Sequence, residues 1–383
     1  PKDGSVRATV DARSLFQKLV ETRLATGEPY IVFSDTVNRM MPKHHRDLGL
    51  KVSTSNLCSE ITLPTGRDHL GNDRTAVCCL SSLNLETWDE WHGDERFIED
   101  VMRFLDNVLQ DYIDRAPPEM ARAVYSATRE RSVGMGVMGF HSFLQLKGIG
   151  FESAMAKAWN LKMFKHIAAK ADEASLLLAQ ERGACRDAAE MGVMQRFSCK
   201  RAFAPTASIS IICGGTSACI EPIPANIYTH KTLSGSFVVE NPYLKKLLQA
   251  KSKDSTNVWN SSLEHGGSVQ HLDFLSPEEK AVFKTSFEID QRWLLEFAAD
   301  RTPYIDQAQS LNLYIPADVD KWDLMMLHFQ AWERGIKSLY YLRSKSVQRA
   351  GFAGGVEADN TADAPRIELS AGQTDYEECL ACQ

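Results

Sequence analysis

The sequence has no long uncharged apolar run and no block of basic residues. A membrane-spanning helix needs about twenty consecutive apolar residues, so no span is predicted. The 43 Lys and Arg residues are outnumbered by 50 Asp and Glu residues, which leaves a net charge of −7. Without clustered basic residues, no nucleic-acid surface is predicted. Because the first thirty residues also lack the apolar core of a secretory signal, the sequence favours a cytoplasmic protein.

The nine cysteines do not follow the pattern of a small secreted scaffold. Their number is odd and the chain is large, so reduced thiols are expected. Only Cys379 and Cys382 have a spacing, Cys-x-x-Cys, that is typical of redox or metal chemistry. A structural zinc site would need a second such pair, which the sequence lacks, so no metal site is predicted.

Three polar side chains stand at alternate positions in one short stretch, Asn56, Cys58 and Glu60. In an extended loop, alternate side chains leave the backbone on one side. Asn can bind a substrate hydroxyl, Glu can transfer a proton, and Cys can act as nucleophile, metal ligand or hydrogen-atom carrier. The alternative is a buried structural cysteine between two surface polar residues. The combination of all three favours an active site.

Apolar residues recur at helical spacing along much of the chain, and short apolar runs lie between these stretches. Helices are predicted near 12–26, 94–115, 119–130, 153–182, from 241, and at 276–299 and 319–334. Strands are predicted near 30–33, 76–85, 206–212, 225–229 and 337–342, and residues 36–54 are expected to be irregular. This alternation predicts one α/β domain over 1–345, with a barrel favoured. Residues 346–383 have scarcely any large apolar residue, which predicts a flexible tail.

The stretch Gly134-Met135-Gly136-Val137-Met138-Gly139 matches the dinucleotide-binding fingerprint. That fingerprint is meaningful after a strand in a βαβ unit, whereas the pattern before Gly134 is helical. Glycines that allow close packing are therefore the favoured interpretation, and a dinucleotide site is the alternative.

The run Asn56-Leu57-Cys58-Ser59-Glu60-Ile61 and the run from Val77 to Leu85 resemble the active-site finger loop and adjoining barrel strand of the class I ribonucleotide reductase large subunit. The resemblance continues to the last residue. It implies the second half of a ten-stranded α/β barrel with an active-site finger loop and a flexible C-terminal tail.

The same resemblance implies a role for each polar residue. Cys58, as a thiyl radical, would abstract the 3′ hydrogen of a ribonucleotide, Glu60 would accept the 3′-OH proton, and Asn56 would bind the sugar hydroxyls. Cys78 and Cys79 are adjacent in a predicted strand and face opposite sides. By resemblance Cys78 faces inward and is half of the redox pair that reduces the 2′ position and becomes a disulfide.

The stretch Pro205, Thr206, Ala207, Ser208, Ile209 and Ser210 brings hydroxyls and backbone N–H groups into a turn after a proline. Such a turn can hold phosphate oxygens, although an ordinary Ser/Thr turn has the same composition. It resembles the reductase loop that binds the substrate diphosphate.

Tyr340 and Tyr341 are by composition ordinary strand residues. By resemblance they are the tyrosine dyad that carries a radical to Cys58, with Tyr340 nearer Cys58 and Tyr341 nearer the partner subunit. Cys379 and Cys382 resemble the shuttle pair that reduces the buried disulfide and is renewed by thioredoxin or glutaredoxin.

The family's N-terminal half, which would bring the second redox cysteine, has no counterpart in this sequence. The chain is therefore expected to be part of a split enzyme or a shortened form of a longer one. The expected partners are that N-terminal half, a radical-generating small subunit that contains the metal, thioredoxin or glutaredoxin, a ribonucleoside diphosphate and further copies of the chain. No cofactor is expected on this chain itself. The alternatives are a noncatalytic remnant that binds nucleotide or the small subunit, and a cobalamin-dependent reductase, which would not need the tyrosine pair.

Overall fold

The computed structural model of the chain describes residues 9–232, 235–316 and 318–344, apart from the side chains of residues 231, 232, 235 and 236. The helices within this part are α1 Ala12–Thr26, α2 Ser34–Met40, α3 Lys43–Asp47, α4 Trp88–Trp91, α5 Phe97–Arg115, α6 Ala121–Glu130, α7 Phe140–Leu146, α8 Ala154–Arg182, α9 Arg186–Glu190, α10 Ala207–Ile212, α11 Pro242–Ala250, α12 Thr256–Glu264, α13 Pro277–Val282, α14 Gln291–Arg301 and α15 Lys321–Glu333. The strands are β1 Ile31–Val32, β2 Gly66–Arg67, β3 Asp73–Arg74, β4 Leu80–Asn84, β5 Gly134–Met138, β6 Ile227–Thr232, β7 Gly235–Glu240, β8 Leu313–Ile315, β9 Ser338–Leu339 and β10 Leu342–Ser344. The predicted tail, with Cys379 and Cys382, lies outside the described residues.

The long helices form where the apolar spacing predicts them. In α1, the Asp11 side chain accepts a hydrogen bond from Ser14 N at the first turn, and Gly27 ends the helix with a φ of 85°. Such a left-handed residue at a helix end is usually glycine. Helix α5 buries Ile98, Met102 and Leu105, which recur every three or four residues. The predictions for α1, α5, α6, α8 and α15 are therefore confirmed.

Three predictions of local structure are wrong. The predicted strand at 206–212 is helix α10, because a short apolar run fits either period and Thr206 begins the helix with a φ of 56°. The predicted helix at 276–299 divides into α13 and α14, because the Asp290 side chain accepts a hydrogen bond from Arg292 N and begins a second helix. The segment 36–54, expected to be irregular, contains most of α2 and all of α3.

Five segments lie side by side through backbone hydrogen bonds. Strand β4 pairs in parallel with β5, and Met135 N of β5 donates to Lys200 O. Phe203 forms a parallel bridge with Gln309, and β8 pairs in parallel with β10. The order is therefore β4, β5, 199–203, 307–315 and 338–344. The structure is an α/β arrangement, and in the part of the chain that it describes the strands do not close into a barrel.

Two of the three glycines of the fingerprint stretch, Gly134 and Gly136, lie inside this sheet. A Cβ added at Gly134 would come within 2.9 Å of Ala202 Cβ, and one added at Gly136 would come within 2.7 Å of Ala202 O. Both distances are shorter than ordinary contacts, so only glycine lets β5 approach the 199–203 segment this closely. The packing interpretation thus has a direct steric cause, and both glycines lie in a strand, not in the turn that would hold a dinucleotide.

The main hydrophobic core lies between this sheet and the helices around it, where Met135, Val137, Phe140, Phe164 and Phe297 are buried. A second core, with Ile227, Leu244 and Trp259, joins β6 to α11 and α12. Among the described residues, no helix is both long and apolar enough to cross a membrane.

Candidate active site

The segment that carries Asn56, Cys58 and Glu60 lies against the middle of the sheet. Ala308 N donates to Glu60 O at 2.9 Å, and the Ser310 hydroxyl donates to Cys58 O at 2.5 Å. Because these contacts join residues about 250 positions apart in the chain, the sheet determines where the segment lies. Cys58 and Glu60 are both buried there.

The segment is a turn and not the extended loop that the alternation predicted. Ser59 has a φ of 70°, which is uncommon for a residue other than glycine. Ile61 N donates to Asn56 Oδ1 at 3.1 Å, and the Ser55 hydroxyl donates to Ile61 O at 2.8 Å. The turn still brings the Asn56 and Glu60 side chains together. The Asn56 amide interacts with the Glu60 carboxyl group and favours its charged form, which opposes the effect of burial on the pKa of Glu60.

The Glu60 carboxyl group is enclosed by protein but keeps one oxygen available. Burial raises the pKa of Glu60, and the Asn56 amide and Ser310 hydroxyl oppose that rise. The Ser310 hydroxyl lies 3.1 Å from Glu60 Oε2. Glu60 Oε1 and Asn56 Nδ2 make no hydrogen bond of normal geometry within the described residues. Buried polar atoms are usually satisfied, so an acceptor and a donor here are well placed for a polar ligand.

Two tyrosines connect this turn to the exterior. Burial raises the pKa of Tyr340, and the hydrogen bond between its phenol and the Cys58 thiol raises it further. The rings of Tyr340 and Tyr341 lie 4.3 Å apart between centroids, inclined at 52°. Tyr340 is 6% exposed, whereas Tyr341 is only partly buried. The side chains therefore form a continuous path from Tyr341 through Tyr340 to Cys58.

Asn312, which the sequence did not single out, fixes the backbone of this path together with Glu221. Tyr341 N donates to Asn312 Oδ1 at 3.1 Å, and Asn312 donates from N and Nδ2 to the Glu221 carboxylate at 2.6 and 2.9 Å. Burial raises the pKa of Glu221, and its bonds to Asn312 lower it. The only sequence signal for Asn312 and Ser310 is that both are polar residues between a helix and an apolar strand.

The predicted phosphate-binding stretch directly follows the sheet segment that ends at Phe203. Thr206 uses its hydroxyl internally, since that oxygen accepts from Cys219 N at 2.7 Å. Ser210 is also engaged, because its hydroxyl donates to Ala207 O at 3.1 Å. The groups that remain for a ligand are the Ser208 hydroxyl and the backbone N–H groups in the first turn of α10, which have no partner inside the helix.

Cys78 and Cys79, which are adjacent in the chain, differ in burial. The Cys79 thiol points to helix α5, where its sulfur lies 3.8 Å from Leu105 O, and burial raises its pKa to about 11. Cys78 is exposed. Both line a groove of about 650 Å³ whose wall includes the exposed apolar side chains of Phe104 and Met120.

Comparisons with known proteins identify the relatives of this chain. The family model described as the ribonucleotide reductase barrel domain matches residues 2–193 and 186–342. The ribonucleoside-diphosphate reductase large subunit of Invertebrate iridescent virus 3 is 46% identical over 350 residues, which are 91% of this chain and 54% of that protein. The putative large subunit of Frog virus 3 is 43% identical, covering 100% of this chain and 64% of its own length.

A solved structure has the same fold. The Actinobacillus ureae class Id ribonucleotide reductase alpha subunit superposes with a TM-score of 0.80 at 39% identity, covering 87% of this chain and 61% of that one. The chain belongs to the ribonucleotide reductase large-subunit family, whose barrel-domain model it matches. It spans between about a third and two thirds of the length of these and the other viral relatives.

Proposed function

We propose that this chain is the C-terminal catalytic portion of a ribonucleoside-diphosphate reductase large subunit, which reduces ribonucleotides to 2′-deoxyribonucleotides. The observation that carries the proposal is the path Tyr341–Tyr340–Cys58, which leads from a partly exposed residue into the interior and ends beside Glu60 and Asn56. A hydrogen-atom carrier needs a one-electron route to it and a proton acceptor next to it. This turn has both.

In the proposed reaction, oxidation of Tyr341 and then Tyr340 generates a thiyl radical on Cys58. The thiyl takes the 3′ hydrogen of the ribose, and Glu60 accepts the 3′-OH proton through its available oxygen. Raising the pKa of a carboxyl group suits it to exchange protons near neutral pH. Asn56 donates from Nδ2 to a sugar hydroxyl. The substrate diphosphate lies at residues 205–210, against the first turn of α10.

The reduction consumes two thiols. The ribose 2′-OH leaves as water, the 2′ carbon gains a hydrogen, and the two electrons come from Cys78 and a second cysteine, which form a disulfide. At the end of the reduction the 3′ hydrogen returns from Cys58, which regenerates the thiyl. The second cysteine belongs to the N-terminal half of the subunit. Cys379 and Cys382 then exchange with the disulfide and are renewed by thioredoxin or glutaredoxin.

The architecture proposed for the active enzyme is a ten-stranded α/β barrel. This chain supplies its second half and the finger loop at residues 55–61, and the N-terminal half supplies the rest. A small subunit containing the metal provides the oxidising equivalent at the Tyr341 end of the path, so this chain holds no cofactor. Strand β4 supports this division, because its partner among the described strands is β5 and the groove beside it is lined with exposed apolar groups.

Complementation tests the function. The 383-residue chain, mixed with a matching N-terminal fragment, a radical-loaded small subunit and dithiothreitol, should convert a ribonucleoside diphosphate to its deoxy form. Chain and small subunit without the fragment should form no product, because the proposed second redox cysteine belongs to the N-terminal half. Cys79 should not replace that cysteine, since its sulfur is buried against helix α5. Chromatography of the nucleotides measures product formation in the mixtures with and without the fragment.

Either of two results would contradict the proposal. Nucleotide or small-subunit binding without turnover in the complemented mixture would favour the noncatalytic remnant. Turnover without the fragment would make Cys213 or Cys219 the candidate second thiol.

Removing residues 376–383 should leave the reduction of the substrate intact but prevent re-reduction of the active-site disulfide by thioredoxin. The complemented enzyme, reduced beforehand, should still complete one turnover, but thioredoxin-driven cycling should stop because the shuttle cysteines are gone. Dithiothreitol should restore part of the rate by reducing the buried disulfide directly. A Cys185→Ser enzyme with an intact tail is the control, and an unchanged thioredoxin-dependent rate after truncation would remove the shuttle role from Cys379 and Cys382.

A further inference from the structure

One serine hydroxyl contacts two oxygens of the candidate active site. Ser310 Oγ lies 2.5 Å from the backbone oxygen of Cys58 and 3.1 Å from Glu60 Oε2. Both of these oxygens are acceptors when Glu60 is ionised, and a hydroxyl has a single proton to donate. Ser310 is 1% exposed, so the choice is made away from bulk solvent. The two oxygens therefore compete for one proton.

The sheet holds Ser310 between these acceptors. Ser310 N donates to Phe203 O at 2.9 Å on one neighbouring segment, and the next residue, Leu311, accepts from Tyr340 N at 2.8 Å on the other. The backbone of Ser310 is thus fixed from both sides. To change acceptor, the hydroxyl needs only to rotate about its Cβ–Oγ bond, which moves no heavy atom in the packed interior.

The protonation state of Glu60 decides which acceptor is stronger. A hydrogen bond to an ionised carboxylate is roughly twice as strong as one between neutral groups, so ionised Glu60 favours donation to its Oε2. This agrees with the pKa of Glu60, which burial raises and hydrogen bonds from Asn56 and Ser310 lower. Once Oε1, which has no hydrogen-bond partner among the described residues, takes a proton, Oε2 is a neutral oxygen. The shorter contact, to Cys58 O, is then favoured.

The charge of Glu60 depends on its hydrogen bonds and not on a neighbouring cation within the described residues, since hydrogen bonds alone oppose the effect of burial on its pKa. The titratable groups near it are the Cys58 thiol in the same turn, the Cys219 thiol after α10, and the Tyr340 phenol beyond Cys58. Burial raises the pKa of Cys219 and that of Tyr340, so both stay protonated near neutral pH. Ser310 thus supplies one of the two side-chain hydrogen bonds that stabilise the carboxylate.

The bond to Cys58 O matters because it holds a strained turn. The peptide group between Cys58 and Ser59 has its oxygen at Ser310, and its N–H donates to Asn56 O at 3.2 Å. Ser59 has a φ of 70°, a conformation that residues other than glycine keep only when their surroundings hold them. When Ser310 turns to Glu60, the peptide loses the bond at its oxygen, and Cys58 is held less firmly.

We propose that Ser310 is a positioning residue that couples the protonation of Glu60 to the backbone of Cys58: it donates to the Glu60 carboxylate while that group is ionised, and to Cys58 O after Glu60 has accepted a proton. This inference rests on the proposed function, in which the 3′-OH proton of the substrate moves to Glu60 Oε1. The Ser310 proton stays on Ser310 throughout. Cys58 is therefore held most firmly while its thiol carries the hydrogen that must return to the substrate.

The pH dependence of kcat in the complemented enzyme tests the bond to Glu60. Ser310→Ala removes a donor from the carboxylate, so the pKa of Glu60 should rise and the acid limb of the profile should move up by about one pH unit. Ser310→Thr keeps the hydroxyl and should leave the limb near its wild-type position. The matched control is Ser338→Ala, because the buried Ser338 hydroxyl donates to Gln309 O of the same segment at 3.1 Å. This control should not move the limb.

Amide hydrogen exchange of residues 55–61, measured by mass spectrometry at one alkaline pH, tests the bond to Cys58 O. Glu60→Gln keeps the shape of the side chain without its charge and so imitates the protonated carboxyl group. It should slow exchange in this segment severalfold, because Ser310 then donates to Cys58 O. Adding Ser310→Ala to Glu60→Gln should remove that slowing.

The inference requires both results. It would be overturned by an acid limb that stays in place in Ser310→Ala or moves equally in Ser338→Ala, and also by equal exchange in Glu60→Gln and the wild type. If Ser310→Ala does not fold, the exchange of Glu60→Gln against the wild type decides. If the complemented wild-type enzyme forms no deoxynucleotide, the proposed function fails, whereas the exchange experiment, which needs no turnover, still shows whether Ser310 changes acceptor.

Discussion

Replacing Cys58 by serine should abolish deoxynucleotide formation in the complemented enzyme and leave the fold intact. A hydroxyl O–H bond is too strong for serine to serve as the hydrogen-atom carrier. The fold should tolerate the change because Ser310 bonds to the backbone oxygen of residue 58, and the new hydroxyl can bond to the Tyr340 phenol. Product should fall below detection by chromatography, with the circular dichroism spectrum unchanged.

The matched control is Cys185→Ser. Cys185 is also buried, and its thiol lies 3.4 Å from the Ser198 hydroxyl, so this variant makes the same chemical change outside the proposed site. It should keep most of its activity. Deoxynucleotide from the Cys58→Ser enzyme would rule out Cys58 as the hydrogen-atom carrier.

Replacing Tyr340 by phenylalanine should also stop turnover. Phenylalanine has no phenol to oxidise, so the path from Tyr341 to Cys58 would be interrupted at its buried member. The ring would still fill its space beside Tyr30 and Tyr341, so the structure should be retained. The assay is product formation together with decay of the small-subunit radical after substrate is added.

This variant also tests the cobalamin alternative. An enzyme that generates its thiyl directly from cobalamin would not use Tyr340 and would keep its activity in Tyr340→Phe. The control is Tyr228→Phe, which alters an exposed tyrosine of β6 and should be active in either case. Measurable turnover by Tyr340→Phe with the small subunit would show that the radical reaches Cys58 by another route.

Much of the fold and the outline of the site could be predicted from local sequence. Helix α1 begins at Asp11 and ends at Gly27, because capping and left-handed conformations depend on residues within one or two turns. The period of α5 likewise follows from its own apolar residues. Asn56, Cys58 and Glu60 could be singled out because they are neighbours, and their resemblance to a known family extended the proposal to Tyr340 and Tyr341.

The errors arose where local patterns are ambiguous. Residues 206–212 contain several β-branched residues but form α10, because a run of seven residues carries too little periodicity to distinguish helix from strand. The turn around Ser59 depends on a left-handed residue that is not glycine, so no residue type indicated it.

By itself, the sequence determined the boundaries of helices such as α1, the chemistry available at Asn56, Cys58 and Glu60, and the family. Only the tertiary structure decided which distant groups complete the site. Ser310 reaches Glu60, and Tyr30 joins the tyrosine pair, through contacts between residues about 250 and 310 positions apart. The physical reason is that strand pairing and register arise from the packing of the whole chain, so no local pattern around Ser310 or Tyr30 records which side chain each will contact.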